Sequence, residues 1–306
     1  MYDLIIIGGG PAGTGAGVYA ARKQMKTLIL AELFGGQSVV SEQIQNWLGT
    51  IAISGEQLAT DLRKHVEAYA GDFVSIREER ATKLEKKGDS FVVTTNGGTY
   101  EARAILIATG SHRRRLEVPG ADTFEHKGLT YCASCDGPLY AGQDLAVIGG
   151  GNAAFESAAQ LVAYAKSVTI FNRGNDFKRA DPSTVEKVLS NPIVHTVMNA
   201  ELTEVKGDKF VTGLVYRDAT TAQTKEMSFG GIFVEIGQLP NTEFVKDIVP
   251  LNKFGQIIVD PRTQQTETKG EWAAGDCTDV LYHQNNIAAG DAVKATEDIY
   301  KTLHTK

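Results

Sequence analysis

An α/β fold with two dinucleotide-binding domains is predicted from three observations. A strand, a glycine turn and a helical pattern occur together twice, over residues 4–22 and again over 145–163. Each unit runs on into a second apolar strand, Thr27-Leu28-Ile29-Leu30 in one and Ser167-Val168-Thr169-Ile170-Phe171 in the other. Each is then followed by alternating, strand-like segments that close on a small-residue motif, Ala108-Thr109-Gly110 or Ile236-Gly237-Gln238-Leu239-Pro240-Asn241. Strand and helix alternating in this way build parallel sheets covered on both faces. The expectation is two Rossmann-like, three-layer ββα domains, the second inserted in the first.

The elements justify that reading in order. Ile5-Ile6-Ile7 leads into Gly8-Gly9-Gly10-Pro11-Ala12-Gly13, and residues 17–22 follow at helical spacing. Residues 90–95 alternate as an antiparallel strand does, Asn96-Gly97-Gly98 signals a turn, and residues 100–108 return as a strand. Leu145-Ala146-Val147-Ile148 starts the second unit, with a helix expected through Leu161. Residues 214–216 and 227–236 read as strands. Residues 257–260 and 272–276, then a helix over 288–303, resume the plan of the first half. The boundaries read from the sequence are therefore 1–115 with 242–306 for one domain and 116–241 for the other.

At 306 residues the chain is long enough for two ordinary domains. Acidic residues number 37 against 31 basic ones, a net charge of −6 with both signs spread along the chain. No basic patch suited to phosphate backbones stands out, so nucleic acid is a poor candidate partner. No apolar run reaches bilayer length, so no membrane association is expected. The chain enters directly into Tyr2-Asp3-Leu4-Ile5 without a secretory pattern, and a cytoplasmic location is expected. Three cysteines do not make a disulfide scaffold. Two of them, in Cys132-Ala133-Ser134-Cys135, suggest redox or metal chemistry instead.

Three constellations carry the chemistry. A strand feeding Gly8-x-Gly10-x-x-Gly13 lets backbone approach a pyrophosphate and presents helix N-terminal N–H groups to its charge. Glu32, 19 residues past Gly13 at a strand end, suits ribose hydroxyls. The second fingerprint, Gly149-x-Gly151-Asn152-Ala153-Ala154, has alanine at the third position, and two such sites mean two cofactors. Past its second strand stand Asn172 and Arg173, then Lys178 and Arg179, in place of an acidic residue. Arginine there pairs with a 2′-phosphate, which favours NADPH and leaves NADH possible. In the third constellation, two residues between Cys132 and Cys135 put both sulfurs within bonding distance, one thiolate to attack and one to resolve, and Asp136 is placed to move a proton. Zinc lacks further ligands near this pair, so no metal is expected. Two inert buried cysteines are the plainer alternative. Cys277 reads as a small buried apolar residue, and His283 and Trp47 as packing or wall residues. The run His112-Arg113-Arg114-Arg115 reads as a solvated cationic face that could also touch a phosphate.

These motifs together resemble the low-molecular-weight thioredoxin reductases and the closely related C-terminal flavin module of the alkyl hydroperoxide reductase flavoprotein. The resemblance runs nearly end to end through Gly8 to Gly13, Phe34-Gly35-Gly36-Gln37, Gln45-Asn46-Trp47, Ala108-Thr109-Gly110, Cys132 to Gly137, Gly149 to Glu156, Ile236 to Asn241 and Ala273-Ala274-Gly275-Asp276. It implies FAD in the discontinuous domain, held by Glu32, Gly36, Gln37, Asn46, Thr109, Gly110, Gly275, Asp276, Gln284 and Asn285 with the first glycine motif. It also implies that Cys135 is the flavin-proximal sulfur, that Cys132 attacks the partner disulfide, and that Asp136 is the acid–base residue. A homodimer and a thioredoxin- or glutaredoxin-like partner are further implications, as are hinges near residues 114–118 and 237–242 about which the nucleotide domain rotates.

Segments such as Cys135-Asp136-Gly137-Pro138-Leu139-Tyr140 and Gly275-Asp276-Cys277-Thr278 lean towards the alkyl hydroperoxide reductase branch. That branch carries an N-terminal pair of thioredoxin-like domains, not found in these 306 residues, so an external acceptor is expected. The reductase family's His-Arg-Arg run is here Asn172-Arg173-Gly174, which removes one phosphate clamp. A thioredoxin-type reductase leads. A peroxide-forming NAD(P)H oxidase and a flavoprotein fed by another donor such as ferredoxin stay open.

Overall fold

The structure is a computed structural model that describes residues 1–41 and 43–305. The chain divides into two compact units, Met1–His112 with the stretch from Leu239 onward, and Arg113–Gln238. Both crossings lie three residues ahead of the boundaries read from the sequence. Among the described residues no helix is long and apolar enough to cross a membrane.

In the first unit β1 (Tyr2–Gly9) feeds α1 (Pro11–Arg22), β2 (Thr27–Phe34), a 3-10 turn at Gly36–Val40 and α2 (Gly55–Ala70). Then come β3 (Val74–Arg77), β4 (Ala81–Lys87), β5 (Ser90–Thr95) and β6 (Thr99–Ile107), and β7 (Ser111–Arg113) leads out. The sheet order is β3-β2-β1-β6-β5-β4. Leu4 to Ile7 on β1 are buried on both faces, flanked in parallel by β2 (Ile6 opposite Ile29) and β6 (Ile5 opposite Ile105). The free edge of β6 takes two partners: β5 runs antiparallel to its first half, Phe91 opposite Ala102. A late strand, β17 (Glu271–Ala273), runs parallel to its second half, Ala273 opposite Ile107. Small residues of α1, Ala12, Ala16 and Ala20, share one core with Trp272 and with Ala292 and Ala295 of the last helix, α7 (Asn285–His304). The other face of the sheet buries Phe91 and Val93 with Val245, Val249 and Ile257.

The second unit holds α3 (Ala121–Phe124), β8 (Leu129–Thr130), α4 (Ala133–Asp136), β9 (Asp144–Ile148), α5 (Asn152–Leu161), β10 (Ser167–Phe171), α6 (Pro182–Leu189) and β11 (Val194–Val197). It continues with β12 (Ala200–Gly207), β13 (Val211–Asp218), β14 (Thr224–Ser228) and β15 (Gly231–Val234), and β16 (Gln238–Pro240) leads back. A five-stranded parallel sheet, β11-β10-β9-β15-β8, lies between two layers. On one face α5 packs through Phe155, Ala158 and Leu161. On the other, the antiparallel sheet β12-β13-β14 packs through Val205, Leu214 and Tyr216. The three-layer ββα architecture is thus present here layer by layer.

Three expectations need correction. The strand read over residues 227–236 is two strands in two sheets: β14 ends at Ser228, Phe229 packs edge-on against Phe171 at 5.7 Å, and β15 begins at Gly231. Residues 257–260 form no strand. Ile257 makes isolated bridges to Leu251 and Thr278, and Asp260 opens a turn by accepting the Arg262 N–H at 2.7 Å. The last helix begins at Asn285, not Ala288, because Gln284 is extended at its N-cap and the polar side chains of its first turn are used for contacts.

Candidate active site

The first glycine motif is built by exclusion of side chains. Gly8 has φ +126°, and a Cβ there would lie 2.1 Å from the Ala108 carbonyl oxygen; one on Gly13 would lie 1.9 Å from the Gly8 carbonyl oxygen. Neither position takes a larger residue, so β1, α1 and the end of β6 meet at backbone distance. Gly10 caps α1 without a side-chain hydrogen bond and Pro11 occupies the first turn, leaving its N–H groups for a ligand. They open on a cleft of about 1020 Å³. Its walls include Gly8, Gly10, Pro11 and Ala12 from the turn, and Glu32, Gly36 and Gln37 from the end of β2 onward. Thr109, Gly110, Gly275, Asp276 and Asn285 complete them. Gly13 lies beneath the turn as a close-contact residue. A large cleft with uncapped helix N–H groups at one point and an exposed carboxylate, Glu32, along it fits an extended dinucleotide.

Further residues named from the sequence pair across loops. Asn46 Nδ2 donates to Gln284 Oε1 at 3.0 Å, and Ser38 Oγ donates to Asn285 Oδ1 at 2.9 Å. Gln37 Nε2 donates to Ser111 Oγ at 3.2 Å. Asn46 and Gln284 meet each other and do not line the cleft described above. One residue was missed in the sequence: Asn241 donates to the Thr109 carbonyl at 2.9 Å and accepts the Thr109 hydroxyl on its own carbonyl at 2.8 Å, holding the Ala108-Thr109-Gly110 turn. His112 Nδ1 also meets Asn241 Oδ1 at 2.8 Å. The only signal was the recurrence of that asparagine in a strand-end motif.

The second fingerprint repeats the turn with different packing. Gly149 has φ +151°, and a Cβ there would lie 2.3 Å from the Glu235 carbonyl oxygen. Gly151 caps α5, again without a side-chain bond, and Ala154 is buried against the sheet. Asn152 accepts the Asp181 N–H at 2.7 Å, which ties it to the start of α6; Ala153 is exposed on the first turn of α5. Asn172 behaves unlike the strand-end ligand expected: it is buried, donates to the Asp176 carbonyl at 2.6 Å and accepts the Gly174 N–H at 3.1 Å. Its hydrogen bonds shape its own loop. Arg173, Lys178 and Arg179 are exposed, with Lys178 paired to Asp176 at 2.8 Å.

Cys132 and Cys135 form a disulfide with Cα atoms 5.3 Å apart. Cys132 is the N-cap of the short helix α4 and both sulfurs belong to half-buried residues, so the plainer alternative of two inert core cysteines does not apply. Asp136, one residue past Cys135, takes a short hydrogen bond from the Thr130 hydroxyl, which also receives the Cys132 N–H at 3.4 Å. Thr130 was not singled out in the sequence; it sits at the end of the two-residue strand β8, six positions from its partner. Ser134 donates to Gln160 at 2.7 Å, anchoring the exposed side of the turn on α5. Cys277 is fully buried, donates to the carbonyls of Ile107 and Ala274, and burial pushes its thiol up to about 11, as suits an inert core thiol.

Comparison with known proteins follows this geometry. The sequence profile of the pyridine nucleotide-disulphide oxidoreductase family matches residues 2–295. The alkyl hydroperoxide reductase flavoprotein of Escherichia coli (strain K12) is 41% identical, covering 99% of this chain and 58% of that protein. A Bacillus subtilis (strain 168) protein named NADH dehydrogenase is 40% identical over 96% of this chain and 57% of its own length. The chain therefore spans a little over half the length of these curated relatives. The crystal structure of thioredoxin reductase from Streptococcus pyogenes MGAS5005 superposes with a TM-score of 0.92 at 34% identity, covering 100% of this chain and 99% of the other. Thioredoxin reductase from Giardia duodenalis gives 0.93 at 31% identity, covering 99% and 98%. The chain belongs to the pyridine nucleotide-disulphide oxidoreductase family, which implies a flavin and a pyridine nucleotide as its cofactors.

Proposed function

We propose that the protein is an FAD-dependent reductase that carries two electrons from NADPH, with NADH as a weaker donor, to the disulfide of a thioredoxin- or glutaredoxin-like partner. The observation that carries this reading is the Cys132–Cys135 disulfide at a helix start, within reach of Thr130 and Asp136, in the unit that also bears the second dinucleotide fingerprint. FAD would be held by the cleft of the first unit and would relay electron pairs between nicotinamide and disulfide. Gly8 to Gly13 and α1 would bind its pyrophosphate, Glu32 its ribose, and Gln37, Asn46, Thr109, Asp276 and Gln284 the rest. In the second unit Gly149 to Ala154 would bind the nucleotide pyrophosphate, with Arg173 and Arg179 facing a 2′-phosphate.

The dithiol step balances within the chain's own residues. The Cys132 thiolate attacks one sulfur of the partner disulfide and releases the other as a thiol. Cys135 then attacks Cys132, releasing the second partner thiol and re-forming the Cys132–Cys135 bond. Two electrons and two protons pass to the partner. Asp136, oriented by Thr130, is the group in reach to hold the proton that Cys135 must lose. The family resemblance further supports a homodimer.

Anaerobic mixing with NADPH or NADH, followed by flavin bleaching and then by loss of a thioredoxin disulfide, tests the reading. Faster bleaching by NADPH and disulfide reduction that vanishes in Cys132→Ser are the expected results. Disulfide reduction persisting in the Cys132→Ser, Cys135→Ser double variant would sink it. The relative named NADH dehydrogenase favours a second reading, nicotinamide oxidation with electrons passed to dioxygen. Oxygen uptake undiminished in the double variant would support that one.

A further inference from the structure

The second unit contains a buried carboxyl that the disulfide chemistry does not use. Glu235 follows β15 directly, is 9% exposed, and donates its N–H to the Ile148 carbonyl at 2.7 Å. Its own carbonyl is what a side chain on Gly149 would strike, so it lies against the first glycine of the fingerprint. Glu235 Oε1 accepts the Ser157 hydroxyl at 2.7 Å, and Oε2 accepts Arg113 Nη1 at 3.3 Å. Ser157 is buried on α5 six residues past Gly151, about 9 Å along the helix from the end that would meet a pyrophosphate. Glu156, on the same helix, is the other charged group facing the carboxyl.

We infer that dinucleotide binding at the Gly149–Ala154 turn is coupled to uptake of a proton by Glu235, which leaves the Arg113 charge uncompensated beside the incoming phosphates. The inference rests on the reading above that this unit takes a pyridine nucleotide. With Glu235 ionised, it and Arg113 sum to zero charge; with Glu235 protonated, the pair carries +1. Only the second state attracts an anion, and in a poorly solvated site such a difference is felt over nearly a nanometre. Burial, opposed by Arg113 and Ser157, pushes the Glu235 carboxyl up to about 7, so both states are populated at neutral pH. Linkage is reciprocal: if protonation tightens binding, the bound anion raises the affinity of Glu235 for its proton. Glu235 is then a positioning residue that acts on the nucleotide through Arg113.

Calorimetric titration of the flavin-loaded protein with NAD+ and with NADP+ tests this, run from about pH 6 to about pH 9 in buffers of different ionisation enthalpy. Expected are net proton uptake that peaks just above neutral pH and a Kd about tenfold weaker at the alkaline end. Glu235→Gln, which keeps size and the Ser157 contact, is expected to flatten both. The 2′-phosphate of NADP+ titrates by itself, so the difference from Glu235→Gln is the quantity read. Ser157→Ala removes a donor that favours the ionised carboxyl, and is expected to move the uptake maximum to higher pH. Nucleotide binding with the same uptake in wild type and Glu235→Gln would overturn the inference and leave the nucleotide reading standing. No binding heat from either nucleotide would overturn both.

Discussion

The two glycine turns share a pattern and differ in what each leaves open. In the first, Gly13 is pressed so closely on Gly8 that only glycine fits, and the turn faces a cleft with Glu32 exposed along it. In the second, Ala154 occupies the equivalent position, and the strand-end residue Asn172 is buried and hydrogen-bonded into its own loop. A phosphate-binding turn is therefore a local device that tolerates different surroundings. The polar groups at its rim decide what it can select. The two units also differ in buried carboxyls. Glu235 in the second has a serine and an arginine for partners, whereas Glu271 in the first is fully buried on β17 with both carboxylate oxygens lacking hydrogen bonds.

The largest expected effect would separate the chemistry of the two units. Cys132→Ser is expected to cut turnover with a thioredoxin disulfide by about a thousandfold or more while the flavin still bleaches with nucleotide. Loss of both together in stopped-flow traces would break the division of labour. Next, Gly13→Ala is expected to cost about 3 kcal/mol and to yield protein purified with little flavin. Ala154→Gly is expected to cost only about 1 kcal/mol. Thermal unfolding and the flavin absorbance of the two variants measure the contrast.

A third expectation follows from Glu271. Burial pushes its carboxyl up to about 8, opposed weakly by Lys86. A raised carboxyl means the folded protein holds a proton that the unfolded chain releases. Its contribution is present in full below about pH 4.5 and is lost as pH rises towards about 8, at up to about 1.4 kcal/mol per pH unit. Denaturant midpoints measured across that range should fall with pH in the wild type and fall less in Glu271→Gln. An unchanged slope would show that Glu271 does not titrate in this window. Glu235 adds a term of the same sign over the lower part of the range, so the double variant with Glu235→Gln should be flatter still. The smallest expected effect lies at the second rim. Arg173→Ala should weaken NADP+ binding about tenfold and leave NAD+ unchanged. Lys178→Ala should do less, about twofold, because Lys178 is already paired with Asp176.

Much of the fold was legible because the signals are local. A run such as Leu4 to Ile7 is buried on both faces wherever it pairs, and a glycine turn after it commits the next residues to a helix. Helix α2 was not read, although Ser54 accepts the Gln57 N–H at its N-cap, a Ser-x-x-Gln start visible in the sequence. Its mixed, largely polar surface hid it. The break between β14 and β15 was hidden for the opposite reason: two apolar strands in different sheets read as one run.

The site divides along the same line. Cys132, Cys135 and Asp136 stand close in sequence, and so does each glycine turn, so residue type and spacing alone marked them as chemistry. Thr130 beside Asp136, Asn241 beneath Thr109, and the Arg113–Glu235–Ser157 cluster were not marked. Their partners are brought together by strand order, across 132 positions for Asn241 and Thr109 and 122 for Arg113 and Glu235. By itself the sequence determined the parallel-sheet class, the two dinucleotide turns and the dithiol, because steric and covalent rules act between near neighbours. Only the tertiary structure decided which polar groups are buried, which carboxyl is paired and which stands alone. Those depend on desolvation and on contacts that exist only once distant segments meet.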